Sequence, residues 1–149
     1  MTRELEGKIM DNEDLVREYS NNLTTYEQFT NLMETYICNL LNREQISFHS
    51  ITSRTKSIES LSKKIELKNK YQKLDEITDL SGIRVITYYT DTVDQISKLI
   101  ENEFIIDRDN SIDKRKSLDQ NVLGIVRCIM WFKLILSMLK HRNILSIII

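Results

Sequence analysis

The chain has 149 residues, a formal net charge of −1 and two cysteines. This length suits one domain with its own hydrophobic core, and the near-neutral charge predicts no general attraction to nucleic acid or to acidic membranes. Two cysteines make no disulfide framework, and residues 1–15 contain no apolar stretch like that of a signal peptide, so a cytoplasmic protein is expected.

The first predicted elements are helical. Apolar residues recur at spacings of three and four over residues 12–42, which indicates an amphipathic helix. Thr24 and Glu27 have the spacing of a capping box, which favours two helices that meet near Asn21 and Asn22. The tyrosines of this run are interpreted as core residues rather than as a platform for a cofactor.

A short β-prone segment, residues 46–52, precedes a basic helix. His49 lies in this segment without a second ligand nearby, so no metal site is predicted there.

Ser57 suits the N-cap of the helix. One helical face is apolar and consists of Ile58, Leu61 and Ile65. The opposite face is polar and carries Lys56, Ser60 and Lys64, with Lys63 beside them and Arg54 just before them. Such a row near a helix N-terminus suits a polyphosphate, but a solvated lysine face gives the same pattern.

The most β-prone part of the chain is LDEITDLSGIRVITYY, residues 74–89. Gly82 lets the backbone turn into a strand, Asp79 precedes that turn, and Arg84 lies within the apolar run. An arginine in a core strand is costly unless it meets an anion, so Asp79 and Arg84 are candidates for a ligand site. The alternative is a carboxylate–arginine pair that only closes the turn.

The remaining predicted elements are a helix, a strand and a charged loop, and an apolar tail follows them. Asp91 has the position of an N-cap for an amphipathic helix, residues 104–106 are β-prone, and residues 107–121 form a charged loop that includes Lys114. From Val122 onward the chain is almost entirely apolar. Two basic residues interrupt the first half of this tail, so a membrane-spanning helix fits it poorly.

The order of these motifs resembles the synthetase domain of the RelA/SpoT family, whose small single-domain members make the alarmone (p)ppGpp. The matching stretches are SRxKSxxSLxKK, DEITDLSGIRVI, an acid-capped helix, a strand and a basic loop, and they span about residues 26–121. The resemblance implies an α+β fold in which helices flank a mixed β-sheet. It also implies transfer of pyrophosphate from ATP to the 3′-hydroxyl of GTP or GDP, with Mg²⁺ as the cofactor.

Individual residues acquire roles from the same resemblance. Asp79 and Arg84 become catalytic, with Asp79 as the magnesium ligand and Arg84 facing the phosphates. The implied ATP-binding set consists of Arg54, Lys56, Ser60 and Lys64. Lys114 belongs to the basic loop. Leu67 departs from the pattern, which usually has an arginine there, so weaker ATP binding is expected. Diphosphoryl transfer needs mostly positioning and charge neutralisation, which such residues and a metal supply.

The tail departs from the family pattern. Family members carry a later glutamate and a motif near F-G-Y-R-S-x-H-Y-V, whose tyrosine stacks on guanine, and residues 122–149 contain neither. Permitted codons for this stretch spell that motif in a shifted reading frame, so we infer a one-base loss near Val122. The sheet is then expected to be incomplete at its C-terminal end, because the family's later strands are missing.

Three segments are therefore predicted: an N-terminal helical extension over residues 1–25, a partial synthetase domain over 26–121, and an out-of-frame apolar tail over 122–149. The family activity, part of the stringent response, is expected to be lost in this chain. Two alternatives stay open, a non-catalytic nucleotide-binding or regulatory fragment and a small membrane-associated protein with a genuine tail. Nucleotides are the expected partners, without nucleic acid or membrane, and the intact parent is compatible with a homo-oligomer.

Overall fold

The computed structural model describes residues 11–109 with their side chains, and the backbone of residues 126–133 and 144–148. Its helices are α1 (Asn12–Asn21), α2 (Leu23–Arg43), α3 (Ile58–Lys68) and α4 (Thr90–Glu103), with a 3-10 turn at Leu74–Glu76. Its strands are β1 (Ser50–Thr55), β2 (Ser81–Thr87), β3 (Ile105–Ile106), β4 (Val126–Lys133) and β5 (Ile144–Ile148). The predicted loop residue Lys114 lies outside the described residues.

The strands form one mixed sheet in the order β1-β2-β4-β5-β3. All pairs are antiparallel except β3 and β5, which run parallel. Ile83 and Val85 of β2 are buried against α2 and α4, so these two helices cover the same face of the sheet. Arg84 lies between them in sequence and is exposed, because successive side chains of a strand point to opposite faces. The predicted α+β class, with helices flanking a mixed sheet, is confirmed.

A second core lies at the edge of the sheet, where α1 packs beside α3. It is formed by α1, the start of α2, α3, the 3-10 turn and the residues that follow it. Its buried members are Leu15, Tyr19, Tyr26, Leu61, Ile65, Tyr71, Leu74, Ile77 and Leu80. Leu61 and Ile65 confirm the predicted apolar face of α3. This core holds α3 and the segment before β2 together, and it therefore sets the distance between their polar residues.

The ends of the helices and strands agree only in part with those predicted from the sequence. Ser57 caps α3 as predicted, and the break between the first two helices falls at Asn22. The capping box predicted from Thr24 is wrong, because Asn22 already turns the chain and α2 begins before Thr24. Asp91 lies in the first turn of α4 rather than at its N-cap, where its charge still complements the helix dipole. The first strand begins at Ser50, later than predicted, since Ile46 instead donates its N–H to the end of α2.

The apolar tail contributes two strands, which the sequence did not lead us to expect. β4 pairs with β2 along its full length, and β5 pairs with β4. Both segments, VRCIMWFK and ILSII, are rich in β-branched and large apolar residues, which suit a pleated sheet. The expectation that strands are missing after β3 is thus not met. Among the described residues, no helix has the length and apolarity needed to cross a membrane.

Two buried tyrosines of the second core should make the fold sensitive to alkali. Burial, together with the charges of Glu18 and Asp75, raises the pKa of Tyr26 from its usual value of 10.0 to about 12. Burial also raises the pKa of Tyr19. Because the folded state favours the neutral phenols, their contribution to stability is complete below the usual pKa and is lost as the pH rises through the raised one.

We therefore expect the free energy of unfolding to fall as the pH rises above 10.0, with tyrosinate absorbance rising together with the loss of helical circular dichroism. The Tyr26→Phe variant should show a shallower fall, because it has one group fewer to ionise. Ionisation of all six tyrosines at an ordinary pKa in a chain that keeps its native spectrum would contradict this prediction.

Candidate functional site

Three charged side chains meet where β1 runs into α3. Lys56 lies between the end of β1 and the N-cap of α3, and its N–H donates to the carbonyl of Leu80 at 2.8 Å. This bond continues the pairing of the two strands beyond the last residue of β1 and the first residue of β2. Asp79 precedes Leu80, so it lies beside Lys56. Lys64 reaches the same point from the second turn of α3, because residues four apart lie above one another on a helix.

The carboxylate of Asp79 is shared by two ammonium groups. Lys56 Nζ donates to Oδ2 at 2.8 Å, and Lys64 Nζ donates to Oδ1 at 2.5 Å. The side chains are largely buried, with exposed fractions of 9% for Lys56, 20% for Lys64 and 21% for Asp79. Burial is the largest influence on the pKa of Asp79 and would raise it, but the hydrogen bonds and charges of the two lysines together outweigh burial and lower the pKa.

This cluster of Lys56, Lys64 and Asp79, called here the dilysine cluster, carries one positive charge in excess. A partly buried excess charge is unfavourable unless an anion completes it. The N-terminus of α3, beside the cluster, adds a favourable field for an anion. Ser60 lies in that first turn, where its backbone N–H donates to Ser57 Oγ at 3.3 Å and its hydroxyl accepts from Ser57 at 2.9 Å. The arrangement suits a polyanion better than a single carboxylate.

Two arginines extend the positive charge over the face of the sheet opposite α2 and α4, called here the open face because no described helix covers it. Arg54 lies opposite Gly82 in the pairing of β1 and β2, and Arg84 lies opposite Thr52. Arg54 and Arg84 are therefore diagonal neighbours on one face, where such positions lie about 7–8 Å apart. Both are exposed, and among the described side chains neither forms an ion pair.

The structure corrects two interpretations of Arg84. Its side chain is not buried in the core, because the alternation of β2 places it on the open face. It also does not pair with Asp79, whose two oxygens are bonded to lysines instead. The turn-closing carboxylate–arginine pair, considered as an alternative, is therefore wrong. Arg84 remains available for a ligand on the open face.

A divalent cation fits this site only together with an anionic ligand. Asp79 supplies hard oxygen atoms, which Mg²⁺ prefers, but both of them are bonded to lysines. Within the described part of the chain, no group of three or more His, Cys, Asp or Glu residues could hold a metal ion. His49 contacts the ring of Tyr88 and the hydroxyl of Ser50. Phosphate oxygens would have to supply the remaining ligands.

One contact to the cluster was not predicted from the sequence. Tyr19 of α1 is fully buried, as expected for a core residue, but its hydroxyl donates to the backbone carbonyl of Lys56 at 2.6 Å. The two residues are 37 positions apart, so helical spacing carries no signal of their contact. The spacing of Lys56 and Lys64 predicted a shared helical face, but Lys56 precedes the N-cap of α3 and is not part of the helix. The two lysines still meet at Asp79.

The chain is similar to a known protein family. A family model described as the region found in RelA/SpoT proteins matches residues 53–144. The chain belongs to the RelA/SpoT family. The resemblance seen in the motifs is thereby confirmed, and the match continues beyond residue 121, where the motif resemblance stops. A search of curated proteins gives no match.

Solved structures show the same fold. The small alarmone synthetase 1 from Bacillus subtilis, bound to its product pppGpp, matches with a TM-score of 0.57 and 15% identity, over 89% of this chain and 73% of that one. The same enzyme bound to AMPCPP matches with a TM-score of 0.56 and 12% identity, over 89% of this chain and 69% of that one. The RelA/SpoT match begins at Ser53, so it contains the dilysine cluster and both arginines but not α1.

Proposed function

We propose that this RelA/SpoT domain binds the phosphates of ATP at the dilysine cluster, as the donor side of (p)ppGpp synthesis from ATP and GTP or GDP. The observation that carries the proposal is the excess positive charge around Asp79 at the N-terminus of α3. Support comes from family membership and from a fold neighbour that was crystallised with AMPCPP and with pppGpp. The proposal includes a cytoplasmic location, where both nucleotides are found.

The residues then have distinct tasks. Lys56 and Lys64 turn from Asp79 towards the phosphates, because a polyphosphate offers each ammonium more negative charge than half a carboxylate does. Asp79, released from the lysines, would hold Mg²⁺, and the bound ion would supply neutralisation of charge on the transferred group. Arg84 faces the pyrophosphoryl group from the open face of the sheet. Arg54 stacks its guanidinium plane on adenine.

The chain lacks residues that are expected to bind the acceptor nucleotide, GTP or GDP. Residues 122–149 contain no acidic residue and no F-G-Y-R-S motif. The second candidate function is therefore a nucleotide-binding or regulatory domain that holds ATP without transferring its pyrophosphate. Both functions use the dilysine cluster, and they differ only in whether product forms.

Lys64→Ala should weaken AMPCPP binding by about tenfold or more, measured by calorimetric titration of the full chain. A charge-assisted contact to phosphate contributes about 1.5–3 kcal/mol. The melting temperature should change little, because Asp79 keeps Lys56 as its partner.

Lys63→Ala is the matched control for this test. Lys63 is the neighbouring residue of α3, carries the same charge and is exposed, with no ion pair among the described residues. Its loss should change AMPCPP affinity by less than about twofold. Equal and small effects of both substitutions would mean that α3 presents only a solvated lysine face, and the proposed ATP site would be wrong.

A further inference from the structure

The N-terminal helix α1 reaches the dilysine cluster through one buried side chain. Tyr19 has no exposed surface, and its hydroxyl donates to the carbonyl oxygen of Lys56 at 2.6 Å. The hydroxyl does so from inside the second core, where burial raises the pKa of Tyr19, so it remains a neutral donor at ordinary pH. The contact joins a helix outside the RelA/SpoT match to a residue inside it.

The backbone of Lys56 is held on both sides. Its N–H donates to the carbonyl of Leu80 at 2.8 Å, and its own carbonyl accepts from Tyr19. Lys56 also lies between the last residue of β1 and Ser57, the N-cap of α3. Two hydrogen bonds thus fix the peptide groups on either side of its Cα atom, and the direction of the Cα–Cβ bond follows from them. From this Cα–Cβ bond the side chain of Lys56 extends to Asp79, to which its ammonium group donates a hydrogen bond.

We propose that Tyr19 is a positioning residue of the phosphate site, which acts on the ligand through the backbone of Lys56. Helix α1 then contributes to phosphate binding through Tyr19 and is more than an N-terminal extension of the domain. The inference rests on the proposed function, since it assumes that the ammonium group of Lys56 binds phosphate. A hydroxyl bonded to a carbonyl cannot contact the ligand with the same hydrogen, so Tyr19 acts only indirectly.

The competing explanation is that Tyr19 is an ordinary core tyrosine. Tyr26 provides a comparison within the same core. It is 1% exposed, and its ring lies 4.9 Å from that of Tyr19. Its hydroxyl forms no hydrogen bond among the described residues. Tyr26→Phe therefore removes a hydroxyl from the same surroundings without touching Lys56, and it is the matched control for Tyr19→Phe.

The test is a double-mutant cycle with AMPCPP as the probe. In the full chain, Tyr19→Phe should weaken AMPCPP binding by about three- to tenfold, and Tyr26→Phe should leave it unchanged. Lys56→Ala keeps the backbone carbonyl but removes the ammonium group. In the Lys56→Ala background, Tyr19→Phe should therefore have no further effect on binding, although it should lower the melting temperature by the same amount as in the original chain.

The outcomes distinguish a failure of the positioning role of Tyr19 from a failure of the proposed function. If Lys56→Ala weakens binding but Tyr19→Phe does not, the positioning role is wrong and the proposed function stands. If Tyr19→Phe weakens binding equally with and without the ammonium group, its role is structural and the inference is overturned. If Lys56→Ala leaves binding unchanged, the proposed function itself is overturned.

A measurement on the unmodified chain covers the case in which a variant does not fold. A buried, hydrogen-bonded hydroxyl proton exchanges slowly enough to be followed by NMR. Adding AMPCPP should shift the hydroxyl resonance of Tyr19 and leave the ring resonances of Tyr26 in place, because only Tyr19 is bonded to Lys56. An unchanged Tyr19 resonance at saturating AMPCPP would overturn the inference.

Discussion

Replacing Asp79 with asparagine should lower the free energy of unfolding by about 2–4 kcal/mol, measured by urea denaturation. The substitution leaves two largely buried ammonium groups without their shared counter-ion, and Lys56 has only 9% of its side chain exposed. The remaining exposure of Lys64, at 20%, lets that group reach water and keeps the loss below the value for a fully buried pair. Repulsion between the two lysines adds to the loss.

The difference in the free energy of unfolding between the original chain and Asp79→Asn should become smaller as the pH falls. Because the lysines lower the pKa of Asp79 in the folded chain, the ion pairs stabilise the fold above the usual carboxyl pKa, and this contribution is lost as the pH falls through the lowered value. The difference between the original chain and Asp79→Asn should therefore narrow as the pH falls below about 4. A difference that widens in acid would contradict the assignment of these ion pairs.

The same variant separates the two tasks proposed for Asp79. Without metal, tripolyphosphate should bind Asp79→Asn at least as tightly as the original chain, because the phosphates no longer compete with a carboxylate for the lysines. Mg²⁺ should strengthen AMPCPP binding to the original chain but not to the variant, which has lost its metal ligand. Metal-dependent strengthening that survives in Asp79→Asn would contradict the role of Asp79 as a magnesium ligand.

Asp75→Asn is the control for both measurements. Asp75 lies in the 3-10 turn a few residues earlier, is exposed, and forms no ion pair among the described residues. The variant makes the same change of charge as Asp79→Asn. It should alter the free energy of unfolding by less than about 0.5 kcal/mol and leave nucleotide binding unchanged.

The central parts of the site follow from local patterns in the sequence. A helix with Ile58, Leu61 and Ile65 on one face places Lys64 about 100° around the helix axis from Ile65. Lys64 therefore lies on the flank of the apolar face, where it contacts Asp79. The strand around Arg84 was predicted from its β-branched residues, and strict alternation would also have shown that Arg84 faces away from Ile83 and Val85. These features are local because the periods of helices and strands fix them.

The partners of the charged residues were harder to predict, since they depend on how distant segments pack. A pair between Asp79 and Arg84, five residues along the chain, was considered as an alternative. Asp79 instead meets Lys64, because the second core brings α3 against the segment before β2. The contact between Tyr19 and Lys56 depends on the packing of α1 beside α3. The strands β4 and β5 of the tail were not predicted, since an apolar composition is compatible with a helix or with a strand. The interpretation of residues 122–149 as out of frame stays a prediction.

The full chain, incubated with ATP, GTP and Mg²⁺, should form no pppGpp detectable by chromatography. The pairing of the sheet supports this expectation. β4 is the strand next to β2, and Ile129 lies directly opposite Arg84. The whole strand, Val126–Lys133, contains no Asp or Glu, so the neighbour of the arginine strand offers no second carboxylate for a metal or a base. AMPCPP binding by the same preparation would show that the failure lies on the acceptor side.

Adding one base before the codon of Val122 should restore synthesis, if the tail is out of frame. With permitted codons, the shifted frame can spell F-G-Y-R-S-V-H-Y-V at this point, and the resemblance to the family implies that its tyrosine would stack on guanine. A three-base insertion at the same place is the matched control, because it lengthens the chain but keeps the apolar tail, and it should stay inactive. Product from the unaltered chain, or no product from the one-base insertion despite normal AMPCPP binding, would refute the shifted frame as the cause. Activity that appears only with the one-base insertion would mean that the donor site at Asp79 was complete and that the acceptor site alone was lost.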